Sequence, residues 1–111
     1  MNYKERVIEK FKKFKNKDII ITHHAELQSI FRNISLDEIR DNIINPKRLV
    51  FAGKQEAERE DEEKYDCYFA YSNIQCQRYV VVITSRCIIC TVIKVNRRWQ
   101  RMVEKYSRKR R

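Results

Sequence analysis

The chain has 111 residues, enough for one domain around a single small core, and its composition, 42% hydrophobic and 11% aromatic, is that of a globular protein. No apolar run approaches the roughly 20 residues of a membrane span. The charged N-terminus lacks the apolar stretch of a secretory signal, so a cytoplasmic location without a membrane partner is expected. The net charge of +10 is concentrated at the ends, with +5 in residues 1–17, +8 in residues 94–111 and −4 in residues 54–66. Two basic flanks around a near-neutral core point to a polyanionic partner, RNA or another nucleic acid.

Residues 2–16 place Tyr3, Val7, Ile8, Phe11 and Phe14 three or four apart, which predicts an amphipathic helix with Lys12 and Lys13 free for phosphate. Ile19, Ile20 and Ile21 predict a short strand or an extended lead-in. A second helix is expected over residues 23–33, burying Leu27, Ile30 and Phe31. Ser35-Leu-Asp-Glu38 reads as a capping box, the Ser35 hydroxyl accepting from the Glu38 amide and the Glu38 side chain returning to the Ser35 amide. The helix it opens carries Leu36, Ile39 and Ile43 on one face and should stop before Pro46.

Beyond Pro46 the pattern changes to strands, expected over residues 48–52, 67–71, 78–84 and 87–95, with breaks at 72–73 and 84–86 that suit hairpins. Residues 80–83 are apolar on both faces, which predicts a central strand. The acidic stretch 54–66 is expected to be a solvated connection, either a frayed helix or a long hairpin arm. Residues 97–106 resume helical spacing, with Trp99 expected as a lid on the core beside Val103 and Tyr106, before a basic tail. The fold class is therefore α+β: N-terminal helices packed on a mainly antiparallel sheet of about four strands, with a basic C-terminal helix. The single domain divides into a basic helix (1–17), a core (18–96) and a basic helix and tail (97–111). One Gly, one Pro and abundant Ile, Lys, Arg and Glu fit either an archaeal or thermophilic source or an AT-rich genome.

Several features fall in a characteristic order: His24-Ala25 opening a helix, Arg32 eight residues on, Ile34-Ser35, and a capped acidic helix ending at Asn45-Pro46. An aromatic strand, a strand from Arg78 through Val80-Val81-Val82, and a strand reading Ile89-Cys-Thr-Val-Ile93 follow, with Arg97-Arg98 after them. This arrangement, over roughly residues 20–100, resembles the small toxin-like domains of the RelE/BrnT superfamily. Gln28 stands where many relatives have Arg, the acidic connection is longer, and the N-terminal basic helix is additional. The resemblance implies a toxin of a toxin–antitoxin system, a metal-independent endoribonuclease restrained by an antitoxin protein. The alternative is a non-catalytic nucleic-acid-binding or regulatory protein, viral or from a mobile element, on the same scaffold.

Metal-free RNA cleavage needs a base for the ribose hydroxyl, cations for the charged phosphorane and an acid for the leaving oxygen. His24 is the candidate base or acid, Arg32 and Arg78 are candidate phosphate ligands, and Tyr71 offers a hydroxyl. Each has a structural reading as well: His24 as a helix cap, Arg32 in an ion pair, the tyrosines packing a half-buried sheet. Lys94, Arg97, Arg98 and Arg101, with Lys12 and Lys13, are the candidate nucleic-acid contacts. Cys87-Ile-Ile-Cys90 has the spacing of a zinc knuckle, but inside a strand its sulfurs point to opposite faces. Free thiols are expected, with a cross-strand disulfide as the alternative in a hyperthermophile, and no metal or cofactor. With Gly53 the only glycine, no phosphate-cradling glycine loop is available.

Overall fold

The computed structural model describes residues 2–109. Helix α1 (Tyr3–Phe11) begins where the Asn2 side chain accepts from the Glu5 amide at 2.9 Å, and its stripe carries Val7 and Phe11 into full burial. A 3-10 turn leads to strand β1 (Ile19–Ile21) and then to helix α2 (His23–Phe31). Thr22 is the N-cap of α2, its hydroxyl accepting from the Ala25 amide at 3.2 Å. The helix ends in a Schellman turn, with Asn33 in the left-handed region (φ 53°) and the Ile34 amide donating to the Ser29 carbonyl at 2.9 Å. Buried Ile34 then feeds helix α3 (Leu36–Ile44), which stops short of Pro46 as expected.

Strands β2 (Leu49–Gln55), β3 (Glu63–Ala70), β4 (Gln75–Ile83) and β5 (Cys87–Asn96) form successive antiparallel pairs, and helix α4 (Arg97–Lys109) leaves directly from β5. The sheet has five strands rather than four, in the order β1-β5-β4-β3-β2, because the three isoleucines pair in parallel with residues 87–89 of β5. The α+β class and the mainly antiparallel sheet are as expected, and β4 is central. Helices α1, α2 and α3 cover one face, enclosing Tyr65, Cys67, Phe69, Tyr79, Val81 and Ile89 in one core. Gln100, buried on α4, marks where that helix meets the rest of the molecule, and α4 touches β5, β4 and β2.

Several local expectations are corrected. The hairpin strands β2 and β3 run well into the acidic stretch, so only residues 56–62 connect them; of the two readings, the long hairpin arm holds. Leu27, Ile30 and Phe31 face outward, Phe31 being 85% exposed. Ala25 and Ser29 lie against the sheet instead, and their small side chains let α2 approach β5 closely. With β1 so short, the β5 edge beyond Ile89 has no strand beside it, and Gln28 Oε1 fills the gap by accepting from the Val92 amide at 2.8 Å. Trp99 is not a lid; it is 55% exposed. Half of the Ser35 capping box is present: the hydroxyl accepts from the Glu38 amide at 3.0 Å, while the Glu38 carboxylate turns toward β4.

All four cysteines are free thiols. Cys87 is buried, whereas Cys90 sits at a bulge where Val80 pairs with Thr91 and Val81 with Ile89, leaving its sulfur half-buried. Among the described residues no group of three or more His, Cys, Asp or Glu side chains is placed to hold a metal ion, and no helix is long and apolar enough to cross a membrane. Of the basic tail, residues 110–111 lie outside the described residues.

Candidate nucleic-acid interface and polar cleft

Helix α4 is set by the end of β5. The Asn96 side chain accepts from the Arg98 amide at 2.7 Å, and the Arg97 amide donates to the Ile74 carbonyl at 2.7 Å, fixing the direction of departure. Three residues then point away from the sheet at positions i, i+3 and i+7: Arg98, Arg101 and Lys105, all exposed. Beside them runs an outward apolar stripe of Trp99, Met102 and Tyr106, 55%, 58% and 62% exposed. No ion pair among the described residues engages Arg98, Arg101, Lys105 or Lys94. Arg97 differs: its Nε and Nη1 are buried without a hydrogen-bond partner among the described residues, and its charge acts on Cys76. Burial pushes that thiol up to about 11, with Arg97 pulling the other way.

The second feature is a cleft of about 190 Å³ at the same end of the sheet, lined by Asn33, Glu38, Tyr71, Gln75, Cys76, Gln77 and Lys94. Its floor is a chain of hydrogen bonds. Asn42 Nδ2 donates to the Tyr71 hydroxyl at 2.6 Å and to the Tyr79 hydroxyl at 2.8 Å. Tyr79 donates to Gln77 Oε1 at 2.6 Å, and Gln77 Nε2 donates to Glu38 Oε2 at 3.0 Å. The Glu38 carboxylate, near enough to act electrostatically on the Tyr71 hydroxyl, stands at the other end of this chain. Asn42, Gln77 and Tyr79 are buried, so each member relies on the others for its partners. Burial raises the Tyr71 phenol; Asn42 opposes this, the Glu38 charge adds to it, and the hydroxyl is pushed up to about 12. It therefore stays protonated at neutral pH. The Arg48 guanidinium lies 4.2 Å from the Tyr71 ring centroid, a cation–π stack at the outer side of that residue.

The sequence-derived catalytic residues occupy separate places. Tyr71 and Lys94 line the cleft. His24 is exposed in the first turn of α2, at the opposite end of that helix from Arg32, about 12 Å along the axis. Arg32 caps the C-terminus of α2, its Nη1 donating to the Gln28 carbonyl at 3.4 Å. Arg78 has side-chain neighbours on the sheet's other face: its Nε and Nη2 donate to Asp66 Oδ1 at 2.8 and 2.7 Å, and Gln55 donates to the other Asp66 oxygen. Lys12 and Lys13 follow the C-terminal end of α1, Lys12 paired with Glu9. Asn42 and Gln77 were not singled out from the sequence, and Glu38 was read only as half of a capping box. Asn42 carried a usable signal, being a polar residue on the apolar face of α3 between Ile39 and Ile43. No described protein family, curated protein or solved structure matches the chain.

Proposed function

We propose that this chain binds single-stranded RNA along α4, using Arg98, Arg101 and Lys105 for phosphates and Trp99 and Tyr106 as stacking surfaces. The observation that carries this reading is the exposed stripe of cations without an ion pair among the described residues, lying beside exposed aromatic rings on one helix. Alternating cations and aromatic faces bind a strand because the backbone is uniformly charged and every base has a face on which to stack. The concentration of +8 in residues 94–111 supports the same reading. Lys94, at the base of α4, extends the cationic track toward the cleft.

Non-catalytic binding is favoured over cleavage by the dispersal of His24, Arg32, Arg78 and Tyr71, which share no site that one scissile phosphate could occupy. The test is titration of a fluorescent single-stranded RNA with the full chain at several salt concentrations, followed by gel analysis of the RNA's length. Salt-sensitive binding with intact RNA is the expected result. Absence of binding even at low salt would remove the reading. Fragmentation abolished by His24→Ala or Arg32→Ala would replace it with the RelE/BrnT-like endoribonuclease, and an acidic partner protein that blocks the activity would then be expected.

A further inference from the structure

We infer that the cleft between α3 and the β4–β5 pair reads the edge of a guanine base, with Glu38 as the acceptor for its N1–H and N2 amino group and Lys94 as the donor to its O6. The inference deepens the RNA-binding reading and, where the guanine comes from an RNA strand, rests on it. A carboxylate has about four acceptor positions. Gln77 takes one from the protein side, which orients the carboxylate and leaves the others for a ligand. Lys94 lies directly across the β4–β5 pair from Gln77 on the same face of the sheet, and it lines the same cleft. The cleft therefore presents a donor beside two acceptor positions.

Among the standard bases, only guanine offers the complementary Watson–Crick edge of one acceptor followed by two donors. Cytosine presents a donor and two acceptors, uracil alternates acceptor and donor, and adenine has a single donor beside an acceptor. Base edges read in this way are the usual route to sequence preference in unpaired RNA. The volume fits such a role. About 190 Å³ is below the roughly 300–1,000 Å³ of a pocket for a whole drug-sized ligand and suits the edge of one ring. Position fits as well, because the cleft opens at the end of the sheet from which α4 departs: Gln75 pairs with Asn96, the residue before Arg97. A strand held along Arg98 and Arg101 passes this end.

The shared chemistry is the guanine base, and its source is either an RNA strand or a free nucleotide. The test uses the isotope-labelled full chain and amide chemical shifts. GMP, IMP, AMP, CMP and UMP are titrated separately, followed by a short oligoadenylate carrying one internal guanosine or inosine. GMP is expected to shift the amides of Gln75, Gln77 and Lys94 and to bind about tenfold more tightly than IMP, which lacks the N2 amino group. Glu38→Gln should abolish the GMP-over-IMP preference. Lys94→Ala, an exposed and readily tolerated change, should weaken GMP and IMP equally and keep their ratio. Equal binding of all five nucleotides, no binding of any, or shifts confined to residues outside the cleft would overturn the inference. Guanosine-indifferent RNA binding would leave the α4 reading standing alone. Selective GMP binding without RNA binding would remove the α4 reading and assign the cleft to a free nucleotide.

Discussion

Helices α1 and α4 look alike in sequence, both rich in Lys and Arg with an apolar stripe, yet the fold uses them in opposite ways. In α1 the apolar stripe is consumed by the core, with Val7 and Phe11 fully buried, and two of its cations are engaged by one carboxylate. Glu63 accepts from Arg6 at 2.7 Å and pairs with Lys10. In α4 the stripe of Trp99, Met102 and Tyr106 faces outward, and Arg98, Arg101 and Lys105 meet no acid among the described residues. Equal charge therefore does not mean equal availability. What separates the helices is the counter-charge, and Glu63 belongs to the acidic stretch of the sequence whose solvated part ends just before it.

The largest effect that sharpens this contrast is on stability. Phe11→Ala should destabilise the protein by about 3–5 kcal/mol, the range for truncating a buried Phe, measured by denaturant unfolding. Trp99→Ala, despite removing a larger ring, should cost clearly less, about 1–2 kcal/mol, because more than half of its surface is exposed. A large loss from Trp99→Ala would mean that α4 is built into the fold as α1 is, and the distinction would collapse.

Next in size is the effect on RNA. Arg98→Ala with Arg101→Ala should weaken binding to a short single strand about tenfold or more. It should also reduce the slope of log affinity against log salt by about 1.4, the contribution of two phosphate contacts. An unchanged slope would show that these arginines do not meet phosphate.

How much of this was legible in the sequence depends on the range of the interactions concerned. Helix α3 was readable because its signals are local: Ser35 at the cap, Asp37 and Glu38 in the first turn, Pro46 beyond the end. The strands after Pro46 were readable from their β-branched and aromatic runs, though β2 and β3 reached further into the acidic stretch because Lys54 and Gln55 pair with Tyr65 and Lys64 across it. The inward face of α2 was misread since two stripes competed. The larger one, Leu27, Ile30 and Phe31, lost to Ala25 and Ser29, and only the closeness of β5 decides between them. The cleft was illegible for the same reason. Its hydrogen bonds join residues 29, 37 and 39 positions apart, as in Asn42–Tyr71, Asn42–Tyr79 and Glu38–Gln77, separations that no periodicity encodes.

A smaller effect tests the α1 side by pH. Burial works to raise the Glu63 carboxyl, but Lys10, the Tyr65 hydroxyl and Arg6 outweigh it and hold the group at about 2. An unfolded Glu titrates near 4.3. The folded state therefore binds its proton less readily, so the stabilisation is complete above about pH 5 and disappears as pH falls from there toward 2. The group is partly open to solvent, which limits the contribution to about 1 kcal/mol. Glu63→Gln should lower stability by that amount at pH 7 and flatten the acid limb of the stability profile between pH 5 and 2. A limb of unchanged steepness would place the acid sensitivity elsewhere.

The smallest expected effect is the most direct challenge to the comparison. Lys12→Ala with Lys13→Ala removes two exposed cations, as does the double change on α4, so a simple charge count predicts similar losses of RNA affinity. Position predicts otherwise. Helix α1 runs toward the Glu63 end of the sheet, where Glu63 pairs with Ile83, whereas α4 begins where Gln75 pairs with Asn96. Strand β4 puts about 26 Å, nine residues at 3.3 Å each, between the start of α4 and that end. The second half of α4 comes closer, Glu104 and Ser107 sharing a cleft with Asn2 and Tyr3 at the start of α1, but Lys12 and Lys13 lie beyond the opposite end of α1. The screening length at physiological salt is about 8 Å, so charges at one end contribute little to the field at the other. A strand of about eight nucleotides bound along α4 should lose less than about twofold in affinity when Lys12 and Lys13 are replaced. A loss matching that of Arg98 and Arg101 would show that both ends contact the same strand, and α1 would then be both a core helix and part of the interface.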